Sequence, residues 1–106
     1  MLKKVYEYSS KQYAPCETYK KIFESISNFE KYKELEFKQF DIDENELDVE
    51  KYNIKALPTT IFIDENDEMI YKLSGNIALN DLVSITEDFL KRDKNNVIKD
   101  VEKWEK

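Results

Sequence analysis

Apolar positions along the chain switch between an alternating pattern and a three-to-four-residue pattern, and the switches outline a βα order. Lys4-Val5-Tyr6-Glu7-Tyr8-Ser9 is rich in β-branched and aromatic residues and predicts a strand over residues 3–9, ended by the turn Ser9-Ser10-Lys11-Gln12. Tyr19, Phe23, Ile26 and Phe29 then recur at helical steps and predict an amphipathic helix over 14–30. Pro15 falls in its first turn, where the missing N–H costs nothing and the fixed φ suits a helix.

Leu35, Phe37, Phe40 and Ile42 predict a second strand over 35–41, buried on at least one face, with a polar turn at Asp41-Ile42-Asp43-Glu44-Asn45. Leu47, Val49 and Tyr52 fit a short helix begun by Asn45 or Glu46, and Tyr52-Asn53-Ile54 turns the chain toward Pro58. The carboxylates of residues 44–50 read as a solvated helix face, with an acidic docking patch as the other reading. Thr59–Ile63 and Met69–Leu73, joined by Glu65-Asn66-Asp67-Glu68, form an antiparallel hairpin over 59–63 and 69–74. Gly75-Asn76 closes it, and Asn80 caps a helix over 80–91 with Leu82, Ile85, Thr86 and Phe89 inward. Val97, Ile98, Val101 and Trp104 continue at helical spacing, which fits either a docked helix or a frayed tail. The predicted core is Val5, Phe23, Ile26, Phe37, Ile42, Ile61, Ile63, Leu73, Leu82, Ile85 and Phe89.

Composition narrows the chemistry. A chain of 106 residues with 41% hydrophobic residues supports one core, and no repeat or Gly-, Ser- or Pro-rich linker marks a boundary. The absence of histidine removes Ser-His, Cys-His and His-metal sites, and one cysteine removes intrachain disulfides and thiolate zinc sites. The acidic runs lack the glycine spacing of a calcium loop, and a single glycine leaves no phosphate-cradling loop. No metal and no cofactor is expected. The net charge of -6 disfavours nucleic acid and anionic membranes, with Lys3-Lys4 and Lys20-Lys21 as small local exceptions. No window has the length of a membrane span, nothing resembles a cleaved signal, and a cytoplasmic location is expected for the unpaired thiol.

The stretch Tyr13-Ala14-Pro15-Cys16 holds the only cysteine and lies where the first strand gives way to the first helix. Together with Ala56-Leu57-Pro58-Thr59-Thr60 and Gly75, this layout resembles the thioredoxin superfamily: a strand, Cys-x-Pro-Cys at a helix start, a second βα unit, and a cis-proline opening a hairpin. With Ala14-Pro15-Cys16 on the family's Gly-Pro-Cys, Glu7 falls on its buried acid, Asp43 on the Asp closing its next strand and Pro58 on its cis-proline. Gly75 falls on its late glycine with about one inserted residue. The resemblance spans roughly residues 4–91. It implies an α/β, thioredoxin-like domain over 1–92: a minimal four-stranded mixed sheet flanked by helices, with a helical C-terminal extension over 93–106. The family usually carries a strand and a helix ahead of the position where this chain begins. A cis Leu57–Pro58 bond is implied by the resemblance alone; from the residues, Pro58 serves equally well as the start of an edge strand.

In that register Tyr13 stands in place of the family's first, nucleophilic cysteine. A second register sets Cys16-Glu17-Thr18-Tyr19 on Cys-Gly-Pro-Cys, but it loses the proline match and puts Glu7 and Pro58 out of step. Ser9 and Gln12 replace the aromatic residues that flank the family motif, and Gln39 replaces the lysine that partners its buried acid. Cys16 therefore reads as a small packed residue or as a lone reactive thiol. Glu7 reads as half of the family's acid–thiol pair, or as a carboxyl that faces solvent or is buried and protonated.

Two functions are implied by the resemblance. One is a degenerate member that binds a protein or peptide partner along Tyr13, Ala14, Pro15, Leu57, Pro58, Thr59 and Gly75. The other is a monothiol oxidoreductase forming mixed disulfides at Cys16 with glutathione or a partner thiol.

Overall fold

The computed structural model describes residues 3–12 and 14–92. Four strands, β1 (Lys4–Ser9), β2 (Glu36–Asp41), β3 (Thr59–Ile63) and β4 (Met69–Ser74), form one sheet in the order β2-β1-β3-β4. β1 pairs with β2 in parallel and with β3 antiparallel, and β3 and β4 form the antiparallel hairpin. The helices are α1 (Ala14–Ser27), α2 (Glu46–Lys51) and α3 (Leu79–Lys91). The tail over 93–106, with its predicted helix, lies outside the described residues.

Because strand side chains alternate, β1 sends Val5 and Glu7 to one face and Tyr6 and Tyr8 to the other. On the first face Val5, Phe62 and Tyr71 pack with Tyr19, Phe23 and Ile26 of α1 and Leu82, Ile85 and Phe89 of α3. Phe89 meets Phe62 edge-to-face at 5.2 Å. On the second face Tyr8, Ile54, Ile61 and Ile63 form a smaller buried group bordered by Tyr6, Phe40, Val49 and Tyr52. Tyr8 donates to Asp48 of α2 at 2.7 Å and so pins that short helix to the sheet.

Local chemistry moves several boundaries away from the sequence pattern. α1 stops at Ser27, and the periodicity up to Phe29 continues only into a 3-10 turn, Glu30–Tyr32. The polar stretch after β2 is another 3-10 turn, Ile42–Glu44, in which Asp41 Oδ1 accepts from the Asp43 amide at 2.8 Å. Asn45 occupies the N-cap position of α2, as its place in the sequence suggests, whereas α3 starts at Leu79 after Ala78, so Asn80 is inside the first turn. Phe37 is half-buried because β2 is an edge strand with one neighbour, and Ile42 is half-buried in the 3-10 turn that follows it. No helix among the described residues is long and apolar enough to cross a membrane.

The end of α3 is tied back to the chain's beginning. Lys3 Nζ donates to the carbonyls of Phe89, Leu90 and Arg92 at 3.0, 3.2 and 3.0 Å, placing a cation on the negative end of the helix. Arg92 is buried and donates to Tyr71 at 3.2 Å. Replacing Lys3 by Met keeps the aliphatic stem and removes the charge and its donors. Urea denaturation is expected to show a loss of about 1–2 kcal/mol, and an unchanged midpoint would show that the cap contributes nothing.

Candidate functional site

The site is built at the C-terminal end of β1, where the chain leaves the sheet through Ser9 and Ser10 and enters α1. Cys16 is in the first turn of α1 and fully buried, with the Ser10 backbone near its sulfur. Burial pushes the thiol pKa up, and the Glu7 carboxyl adds to that; the Ser10 amide and Lys20 pull the other way without prevailing. Ala14 and Pro15 lie on the backbone of that same turn. Tyr13 and the side chains of Ala14 and Pro15 lie outside the described residues.

Opposite this turn, the Leu57–Pro58 peptide is cis and opens β3. The register pairs Tyr8 with Thr59, which puts Pro58 level with the loop that carries Ser10. Thr59 is buried, and its hydroxyl donates to the Ala56 carbonyl at 2.6 Å. Gly75 donates its N–H to the Pro58 carbonyl at 2.7 Å and has φ +89°, a conformation that residues other than glycine rarely take. Leu57, Pro58, Thr59 and Gly75 are thus brought together on two adjoining turns, beside the start of α1.

Glu7 is the third part. It has no exposed surface, and it lies on the central strand between Gln39 of β2 and Thr60 of β3, facing α1. A solvent-facing Glu7 is therefore ruled out. Neither carboxyl oxygen completes a hydrogen bond. Burial pushes its pKa up to about 7; Lys20, then Ser9 and Gln39, draw it down only partly. Gln39 is exposed and spends its amide on the Lys20 carbonyl at 3.3 Å, so it does not neutralise the acid.

Sequence reasoning missed the bond that seats α1 over this acid. Tyr19 and Thr60 share a hydrogen bond of 2.7 Å in the core, directly linking helix and β3. Tyr19 reads from sequence as one member of an apolar stripe, and the only hint of a polar role is that its hydroxyl needs a partner once buried. Lys20 carries a clearer signal, since it stands one helical turn after Cys16.

A carboxyl whose pKa is about 7 in the folded chain and about 4.5 unfolded binds its proton more tightly when folded. Its stabilising contribution is complete below about pH 4.5 and disappears as pH rises through about 7. Glu7→Gln is expected to remove that slope and to raise stability at pH 8 by roughly 2–3 kcal/mol relative to wild type. Urea unfolding at pH 5 and pH 8 checks this; parallel profiles for the two proteins would refute it.

The comparisons with known proteins agree with this geometry. The thioredoxin family model matches residues 3–88. No curated protein gives a significant match. Among solved structures, thioredoxin from Malassezia sympodialis superposes with a TM-score of 0.73 at 24% identity, over 82% of this chain and 75% of that one. Thioredoxin-2 of a malaria parasite gives 0.73 at 22% identity, covering 82% of each chain. The oxidised thioredoxin of Plasmodium falciparum gives 0.70 at 23%, over 82% of this chain and 80% of that one. These likenesses show the fold, and the family match spans most of the sequence: the chain belongs to the thioredoxin family.

Proposed function

We propose that this protein is a thioredoxin-family member without dithiol disulfide reductase activity, which holds a protein or peptide partner in extended form beside the Leu57–Pro58 turn. The observation that carries the reading is the state of Cys16, the one cysteine in the sequence and a fully buried one. Reduction of a disulfide by a dithiol needs an attacking thiolate and a second thiol to resolve the mixed disulfide. Here only one thiol exists, in the register of the resolving cysteine, and burial holds it in its neutral form. Tyr13, in the register of the attacking cysteine, has a phenol whose ordinary pKa is about 10. The sequence has no histidine to activate it.

The binding half rests on the turn at Leu57–Pro58. An extended segment is held by main-chain hydrogen bonds and by pockets for alternate side chains. The end of β3 offers a rigid main chain for this, fixed by the Thr59–Ala56 and Gly75–Pro58 bonds. A structural relative, thioredoxin-2 of a malaria parasite, is a component of that parasite's protein secretion machinery, which is in keeping with a partner-binding role. A reducing compartment such as the cytoplasm suits an unpaired thiol.

One observation favours a second reading. Cys16 stands in the first turn of α1, where the positive end of the helix and the nearby Ser10 backbone both favour a thiolate. In that reading the Cys16 thiolate attacks glutathione disulfide, one glutathione leaves as thiolate, and Cys16 carries the other as a mixed disulfide.

Thiol titration and turnover separate the two. In the binding reading, native Cys16 reacts with an aromatic disulfide reagent many-fold more slowly than in the denatured chain, and the wild type fails to reduce insulin disulfides with a dithiol reductant. Tyr13→Cys is expected to form an internal disulfide under mild oxidant and to gain reductase activity. Rapid native titration together with wild-type turnover that Cys16→Ser abolishes would establish the monothiol enzyme. A Tyr13→Cys variant whose thiols stay reduced would overturn the register that sets Tyr13 opposite Cys16.

A further inference from the structure

β2 ends the sheet, and its outer side is a row of main-chain groups. The Glu36 amide donates to the Lys3 carbonyl at 2.9 Å, so Glu36, Lys38 and Phe40 direct their main-chain N–H and C=O groups at β1. Those of Phe37 and Gln39, which alternate with them, point away from β1, and no strand among the described residues pairs with them. Their side chains lie toward α1: Phe37 meets Phe23 edge-to-face at 5.6 Å, and the Gln39 amide donates to the Lys20 carbonyl at 3.3 Å.

The charges along this edge complement a second copy of themselves. Glu36 and Lys38, two residues apart, share the face of the sheet opposite α1. Glu36 Oε2 accepts from the Tyr6 hydroxyl at 2.7 Å, which holds the carboxylate on that face. Lys38 is exposed and makes no ion pair among the described residues. An antiparallel copy of β2 can be centred near the middle of the strand in three ways. Centring on Lys38 sets two lysines directly opposite each other, which is destabilising. Centring on Gln39 relies on Asp41, where the chain already leaves for the Ile42–Glu44 turn and the carbonyl accepts from Asn45 at 2.8 Å. Centring on Phe37 sets Glu36 of each copy opposite Lys38 of the other, in the closely spaced non-hydrogen-bonded position.

We infer that two copies of this chain associate edge to edge through β2, antiparallel and centred on Phe37, about a two-fold axis normal to the sheet, with Glu36 and Lys38 paired on both sides of the axis. The two Phe37 residues exchange their main-chain hydrogen bonds, and the Gln39 N–H of each copy reaches the Leu35 carbonyl of the other. The Leu35 N–H is already spent on the Tyr32 carbonyl at 3.0 Å, so pairing stops there. Such a contact is isologous and small, and the dimer it makes is weak and dependent on concentration. β2 is separated from β3 by β1, so the contact leaves the Leu57–Pro58 turn of each copy uninvolved and stands independently of the proposed partner site.

Sedimentation of the full chain from micromolar to millimolar concentration tests this. The wild type is expected to pass from monomer to dimer, and amide exchange at Phe37 and Gln39 to slow several-fold over that range while Lys38, whose amide faces β1, does not change. Glu36→Lys and Lys38→Glu, each checked for folding by circular dichroism, should each weaken association about tenfold by setting like charges opposite each other. Glu36→Lys should do so although it reduces the net charge of -6 that repels two copies. An equimolar mixture of the two variants places a lysine opposite a glutamate at both positions and should associate at least as tightly as the wild type. A wild type that stays monomeric at millimolar concentration, a dimer that neither substitution weakens, or variants that fail to associate when mixed would each overturn the inference.

Discussion

Everything in this fold is placed by β1 lying between two strands. Pairing with β2 in parallel and β3 antiparallel fixes the direction of both neighbours, and the two-residue alternation of β1 then decides what each face of the sheet receives. A slip of one residue would send Val5 and Glu7 to the aromatic side and Tyr8 under α1. The register also sets the site, because the pairing of Tyr8 with Thr59 brings Pro58 level with the loop that feeds α1, and that of Glu7 with Thr60 puts the acid beneath the helix. The Tyr19–Thr60 hydrogen bond holds the helix there.

Glu7 is the exception to the good packing around it. A buried carboxyl with neither oxygen hydrogen-bonded is ordinarily a substantial cost, and the molecule lowers it by keeping the proton on. The surrounding groups could only partly offset an ionised form: Lys20 is half-exposed and Gln39 is turned to a carbonyl. The Glu7 carboxyl in turn helps keep Cys16 neutral, since its charge would raise the pKa of the thiol. Cys16 thus sits buried as a neutral thiol near a carboxyl that gives up its proton only at about pH 7.

The sheet was legible from sequence because its strands announce themselves through Val5, Phe37, Ile61–Ile63 and the acidic turn after Ile63, and α1 and α3 through their apolar stripes. What was not legible depends on contacts between distant residues. The end of α1 at Ser27 and the start of α3 at Leu79 depend on packing and local backbone geometry that spacing does not encode. The half-burial of Phe37 comes from strand order, which an apolar pattern does not carry. The Tyr19–Thr60 bond joins residues far apart in the chain. Of the site, the residue types at Cys16, Glu7 and Pro58 could be read by family resemblance, whereas the missing partners of Glu7 emerge only once the strands and α1 are packed together.

On the proposed reading, the loss of one sulfur and the retention of the turn have different physical consequences. Thiol exchange fails completely when either sulfur goes, because attack and release are sequential steps of one reaction. Extended-peptide binding distributes its free energy over main-chain hydrogen bonds and side-chain pockets, none of which is a thiol. The Ala56–Thr59 and Pro58–Gly75 bonds that shape the turn are independent of the residue at position 13. A tyrosine there therefore ends the redox chemistry of a dithiol while leaving the turn that opens β3, and adds a ring with apolar area and a hydroxyl, the kind of side chain that contributes most where a protein surface meets a partner.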